Sequence, residues 1–157
     1  MMSSMSNKIE MYLKVMLDRA SNGVIEVQRS ELADIFDCVP SQINYVLGTR
    51  FTPAHGYKVE SRRGGGGFVR IIRLNFEPDT DFQHLFEEII GEELSQNQGE
   101  GLIERLWQEG VLTKREKLIL KQICSMSFFN RLGLEDQEFL RAKIIQAALA
   151  TVMREDL

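Results

Sequence analysis

Arg62 and Arg63 stand immediately before four consecutive glycines, Gly64, Gly65, Gly66 and Gly67, with Phe68 after them. A tight hairpin needs only one or two residues at positive φ, so a run of four gives up chain order without improving the turn. A backbone stripped of side chains can enter the narrow minor groove of DNA while flanking arginines grip phosphates or the groove itself. A phosphate cradle for a nucleotide is the rival chemistry. It lacks the Lys-Ser/Thr pair of a P-loop, and Phe68 to Leu74 reads as a strand, not the helix such a loop opens. A merely flexible hairpin is the plain alternative.

A second set lies upstream, in the run from Ser41 to Arg50. With Ile43, Val46 and Leu47 turned inward on a helix, Ser41, Gln42, Asn44 and Tyr45 reach outward near its N-terminal end, and Thr49 and Arg50 close it. Gln and Asn can bond adenine at two points, and Tyr offers a hydroxyl and an apolar ring for a thymine methyl. Ser41 and the helix N-terminus can hold a phosphate. A solvated polar face is the bland reading of the same residues. Between Arg50 and Arg73 six bases (Arg50, Lys58, Arg62, Arg63, Arg70, Arg73) face one acid, Glu60. A local net of +5 marks a place where a polyanion could sit.

Nothing comparable points to catalysis or to a cofactor. His84 has no partner nearby in sequence. Cys38 and Cys124 are isolated, without CxxC or Cys/His spacing, and read as core thiols, not metal ligands. Trp107, Phe128, Phe129 and Phe139 read as core or interface. No enzyme, metal or cofactor is expected.

The elements that must position the polar sets follow from periodicity. Ile9, Tyr12, Leu13, Met16, Leu17 and Ala20 recur at helical steps, predicting a helix over 6–20 ended by Asn22-Gly23. Val24 to Val27 is a short strand, and Ser30 caps a helix through Phe36. Pro40 breaks the chain and Ser41 caps the next helix, through Thr49. Two short helices around a tight turn, the second polar outside, form a helix-turn-helix. Strand-like runs over 57–63 and 68–74, with the glycines between them, complete a wing.

Glu77-Pro78-Asp79 marks a boundary, giving domains 1–76 and 79–157. The second reads as helices over 81–95, 100–109 and 135–154. A further one opens at a Thr113-Lys114-Arg115-Glu116 capping box and carries Leu118, Ile119, Ile123 and Met126. The expected fold is therefore mainly α with a small β wing: a winged helix-turn-helix followed by a four-helix C-terminal domain.

With 157 residues and 43% hydrophobic content the chain can bury a core. No apolar run approaches a membrane span, so the expected setting is cytoplasmic, away from membranes. The net charge of −4 conceals a split. Residues 1–76 hold ten Lys/Arg against seven Asp/Glu, whereas 77–157 hold nine against sixteen. An acidic helical half attached to a winged helix most simply dimerises it, raising the effective concentration of two reading heads. Ligand sensing is the other role open to that half, and a protein-binding adaptor is the other reading of the winged module.

The strings VPSQINYVLGTRFT (39–52), GYKVESRRGGGGFVRI (56–71) and LTKRE (112–116) resemble the CtsR family over most of the chain, from about Ile9 to Val152. The resemblance implies a homodimeric repressor of heat-shock genes, Clp protease and chaperone genes among them, bound to double-stranded operator DNA. It also implies release by heat through the glycine wing, and arginine phosphorylation by a protein-arginine kinase and its activator. Clp machinery then degrades the released chain. Carried over by position, Arg29, Arg50 and Arg63 are DNA contacts and the phosphoarginine candidates.

Overall fold

A computed structural model describes residues 4–62, 67–75 and 81–157. The chain divides into two compact units, one of residues 1–75 with 154–157, the other of residues 76–153.

In the first unit, helix α1 (Met5–Arg19) is capped by the Ser4 hydroxyl, which accepts from the Asn7 N–H. Its Ile9, Leu13 and Leu17, spaced by four, are fully buried. Strand β1 (Val24–Gln28) runs without a loop into α2 (Arg29–Phe36), and Asp37 turns the chain in the left-handed region (φ 50°, ψ 54°). Helix α3 (Pro40–Arg50) follows, then β2 (Tyr57–Ser61) and β3 (Phe68–Arg73). The three strands form an antiparallel sheet in the order β1-β3-β2, so Arg70 sits between Glu26 and Glu60 in one register row. Ile25, Val27, Val69 and Ile71 from the sheet close on Leu32, Ile43, Val46, Leu47 and Phe51 to form the core.

Two capping expectations are corrected. Arg29 is already helical, preceded by extended Gln28, so Ser30 lies inside α2. Its cap is unnecessary because the Arg29 N–H, one of the orphan donors of a helix start, is taken by the Gly67 carbonyl at 3.1 Å. Likewise α3 begins at Pro40, whose missing N–H suits a first turn, and Ser41 lies within the helix.

The last four residues join this first unit, a departure from the expected 79–157 domain. Arg154 forms an antiparallel bridge with Leu74, and the Glu155 N–H donates to the Arg73 carbonyl at 2.9 Å. The Arg154 guanidinium reaches Glu60 at 2.8 Å and grips both oxygens of Asp156, at 2.9 and 2.8 Å. That guanidinium holds the Asp156 carboxyl below its usual range. Gly23 (φ 70°) must stay small, since a Cβ there would collide with the Glu155 side chain.

In the second unit the helix expected over 81–95 is broken. A wide, π-type segment spans His84–Ile90 and stops at Gly91 (φ 63°, ψ −151°), a conformation that a side chain opposes. Ser95 then starts a new helix, α4 (Gln96–Gln108), in a reciprocal capping box with Gln98. His84 has a partner after all, the Glu88 carboxylate at 3.0 Å, one helical turn away on the surface.

The capping box of Thr113 and Glu116 stands as expected and opens α5 (Lys114–Ile123), but Met126 belongs to a separate helix, α6 (Met126–Arg131). Phe129 is buried in the core, while Phe139 is exposed.

Helix α7 (Gln137–Val152) buries Ala142, Ile145 and Leu149. A second apolar stripe, Ile144, Ala147, Ala148 and Val152, lies on another side. With Leu112, Ile119 and Ile123 that stripe lines an open apolar groove of about 400 Å³. Leu118 and Ile119 are both 54% exposed.

Arg141, only 2% exposed, is held by neutral acceptors. Its Nε donates to the Cys124 carbonyl at 2.7 Å and its Nη1 to the Leu94 carbonyl at 2.8 Å. Burial pushes the neighbouring Cys124 thiol up to about 11, against a weaker downward pull from the Arg141 charge.

Candidate nucleic-acid interface

Burying Ile43, Val46 and Leu47 forces the rest of α3 outward. At 100° per residue, Ser41, Asn44, Tyr45 and Gly48 fall on one stripe, and all four are exposed; Tyr45 reaches 56%. Such a stripe carries hydroxyl, amide and phenol groups, the equipment for reading base edges.

Gly48 was not singled out by sequence reasoning. A glycine inside a helix costs roughly 0.5–1 kcal/mol against alanine, and a Cβ at Gly48 would meet nothing within 4 Å. No packing among the described residues requires the small residue.

Gln42 departs from the outward pose expected of it. It lies one turn before Val46, on the flank of the buried stripe, and is half-buried. Its Nε2 donates to the Ser6 hydroxyl of α1 at 2.8 Å. Thr49 is exposed, and its hydroxyl donates back to the Tyr45 carbonyl at 2.6 Å. Arg50 is drawn toward α1 as well, donating to Asn7 at 2.9 Å and to Glu10 at 2.6 Å. The Lys14 ammonium, and after it the Arg50 guanidinium, hold the Glu10 carboxyl below its ordinary value against an opposing effect of burial.

Arg29 occupies a different position. Its Nε donates to the Asn44 Oδ1 at 2.7 Å, its Nη2 to the Ser61 hydroxyl at 3.0 Å and its Nη1 to the Gly67 carbonyl at 3.4 Å. One guanidinium thus ties the first residue of α2 to the middle of α3 and to both strand ends of the wing. All three acceptors are neutral, so they leave its positive charge uncompensated.

The other cations of the basic stretch are neutralised more than the sequence suggests. Arg62 pairs with Glu26 at 2.9 Å, and Arg70 approaches the same carboxylate at 4.0 Å. Arg73 pairs with Asp18 at 2.9 Å and lies 3.8 Å from Glu155. These acids come from α1, β1 and the C-terminal tail, so the run that is +5 in sequence is no bare cationic patch in space. Arg63, Gly64, Gly65 and Gly66 lie outside the described residues; Gly67, at φ 86°, closes the turn into β3.

Among the described residues no group of three or more His, Cys, Asp or Glu is placed to hold a metal ion. Nor is any described helix long and apolar enough to cross a membrane.

Comparison with known proteins bears on both units. Residues 4–75 match the family model described as the CtsR N-terminal HTH domain, and 78–150 the CtsR C-terminal dimerization domain. The chain is 39% identical to the transcriptional regulator CtsR of Bacillus subtilis (strain 168), over 95% of this chain and 96% of that one. It is 38% identical to CtsR of Geobacillus stearothermophilus and 37% to that of Staphylococcus epidermidis, each over 96% of this chain and 98% of the relative. A crystal structure of CtsR in complex with a 26-bp DNA duplex is 38% identical, with a TM-score of 0.49, covering 96% of this chain and 99% of that one.

Proposed function

The chain belongs to the CtsR family of transcriptional regulators, and from that premise we propose that it is a sequence-specific repressor of heat-shock genes, including those of Clp proteases and chaperones. Helix α3 reads the major groove with Ser41, Asn44 and Tyr45, while Arg62, Arg63 and the glycines 64–67 approach the minor groove. Arg29, Arg50, Gln42 and Thr49 complete the contact set. The observation that carries this reading is the stripe of polar groups on α3, with its Gly48 clearance, beside an arginine whose hydrogen-bond partners among the described residues are neutral.

Dimerisation brings two such stripes to one operator. The groove between α5 and α7 is where a second copy docks, burying Ile119, Ile123, Ile144 and Val152. An apolar face of this kind on a dimerization domain fits a like-for-like contact better than a ligand.

Release follows from the same parts. Phosphorylating Arg29, Arg50 or Arg63 in the cytoplasm exchanges a cation for a group that DNA repels and blocks the two-point fork. A protein-arginine kinase with its activator supplies the group, and Clp machinery removes the freed chain. Heat acts on the wing, because ordering consecutive glycines opposes docking by an entropic term that grows with temperature.

Fluorescence anisotropy at about 150 mM salt tests the reading, with promoter DNA of its own operon against a scrambled duplex. Preference by roughly 10³ or more is expected. Equal, weak binding to both would put the adaptor reading first.

A further inference from the structure

A free asparagine on a recognition helix is ambiguous, since its amide can turn by 180° and offer a base either a donor or an acceptor. Asn44 is not free. The Arg29 Nε carries a hydrogen and no lone pair, so the Asn44 atom 2.7 Å from it is necessarily the carbonyl oxygen. Turning the amide over would set its NH2 group against a cationic donor and forfeit a charge-assisted hydrogen bond. The guanidinium cannot drift to follow such a turn, because its Nη2 and Nη1 are engaged by Ser61 and Gly67.

Resting on the DNA-reading function proposed above, we infer that Arg29 is a positioning residue that fixes the polarity of Asn44, making it a hydrogen-bond donor toward the major groove. Guanine (O6, N7), adenine (N7) and thymine (O4) all present acceptors there, whereas cytosine presents only its N4 amino donor. Asn44 with its NH2 outward therefore rejects cytosine at the position it faces. Released from Arg29, the amide turns its oxygen outward and accepts from N4, and the rejection is lost. Arg29 thereby contributes to specificity through another side chain, in addition to any attraction its charge exerts on phosphate.

The test is a single-base substitution scan across the operator with wild type, Asn44→Ala, Arg29→Lys and the double variant, after thermal melts establish that each folds. The position that Asn44 reads is the one whose preference disappears in Asn44→Ala. There wild type should disfavour cytosine on the order of tenfold or more, and Arg29→Lys, which keeps the charge but not the fixed fork, should bring that to within about twofold. In the double variant the loss of preference should equal that of Asn44→Ala alone, as two members of one unit require.

If Arg29→Lys retains the discrimination against cytosine while binding weakens equally on all sequences, Arg29 is only a charge contact and the inference fails. If wild type does not distinguish operator from scrambled DNA, the DNA-reading premise itself fails, a result separable from the first. A readout without DNA adds a check: the Arg29 Nε–H resonance should be slow to exchange in wild type and fast in Asn44→Ala. Fast exchange in both overturns the inference even where the operator scan agrees.

Discussion

Helices α3 and α7 each turn one face to the core of their own unit and leave another over, and the two leftover faces differ in kind. On α3 the remainder is polar, Ser41, Asn44 and Tyr45 with a bare Gly48. On α7 it is apolar, Ile144, Ala148 and Val152, and it continues onto α5 through Ile119 and Ile123. Neither face is explained by the stability of its unit. A polar stripe with clearance suits a partner that approaches closely and offers hydrogen-bonding edges. A helix that is apolar on more than one side suits burial against protein on each of them. The chemistry of what the core leaves unused thus separates the two partner classes proposed here, operator DNA and a second copy of the chain.

That contrast breaks most visibly on the apolar side. Ile119→Glu should leave the monomer folded, since Ile119 is 54% exposed, yet dissociate the dimer in sedimentation and lower operator affinity by about 10²–10⁴. A dimer that survives would place the interface elsewhere.

On the polar side Tyr45→Ala should weaken operator binding by roughly 1–3 kcal/mol with an unchanged melting temperature, because the ring is exposed. A lower melting temperature would make Tyr45 structural.

Gly48→Ala sharpens the comparison, for it should raise stability by about 0.5–1 kcal/mol in urea while reducing operator affinity. A gain in both would remove the argument from clearance.

The smallest effect concerns Arg50 and α1. The folded-state pKa of Glu10 is below its ordinary value of 4.5, so the stability it contributes is complete above about pH 4.5 and fades as pH falls through the lowered value. Urea midpoints measured from pH 7 down to about 3 should show a small decline there that Glu10→Gln lacks; the pair is partly solvated, so the change is modest.

Local grammar made much of this legible. The Thr113 to Glu116 capping box, the inward Ile43, Val46 and Leu47, and the two strands of the wing are each written within a few residues. What escaped depends on distant residues or on a single glycine. Gly91 breaks a segment whose apolar spacing runs on to Leu94, and once the helix was carried too far, Ser95 could not be seen as a cap. Helix α7 carries an apolar stripe, Ile144, Ala148 and Val152, beside the one it buries, and periodicity finds a face without saying what covers it. Charge misled in the same way. The acids that offset the arginines of the basic stretch, Glu10, Asp18, Glu26 and Glu155, are remote in sequence and meet them only through the fold. Arg29 was flagged as a DNA contact, but its bonds to Asn44, Ser61 and Gly67 span up to 38 residues and no local pattern announces them.

Arg141 gives the chain a memory. A guanidinium in the core of the helical unit, its hydrogens on the Cys124 and Leu94 carbonyls, is closed to any kinase or arginine-directed reagent while that unit stays folded. Arg62, by contrast, has a side chain 64% exposed and can be reached in the native protein. A phosphoryl group can therefore be added to Arg62 of an intact regulator, whereas one found on Arg141 dates the modification to a molecule that had already opened. Arg62 modified while Arg141 stays bare in a stressed cell would place switching off ahead of unfolding.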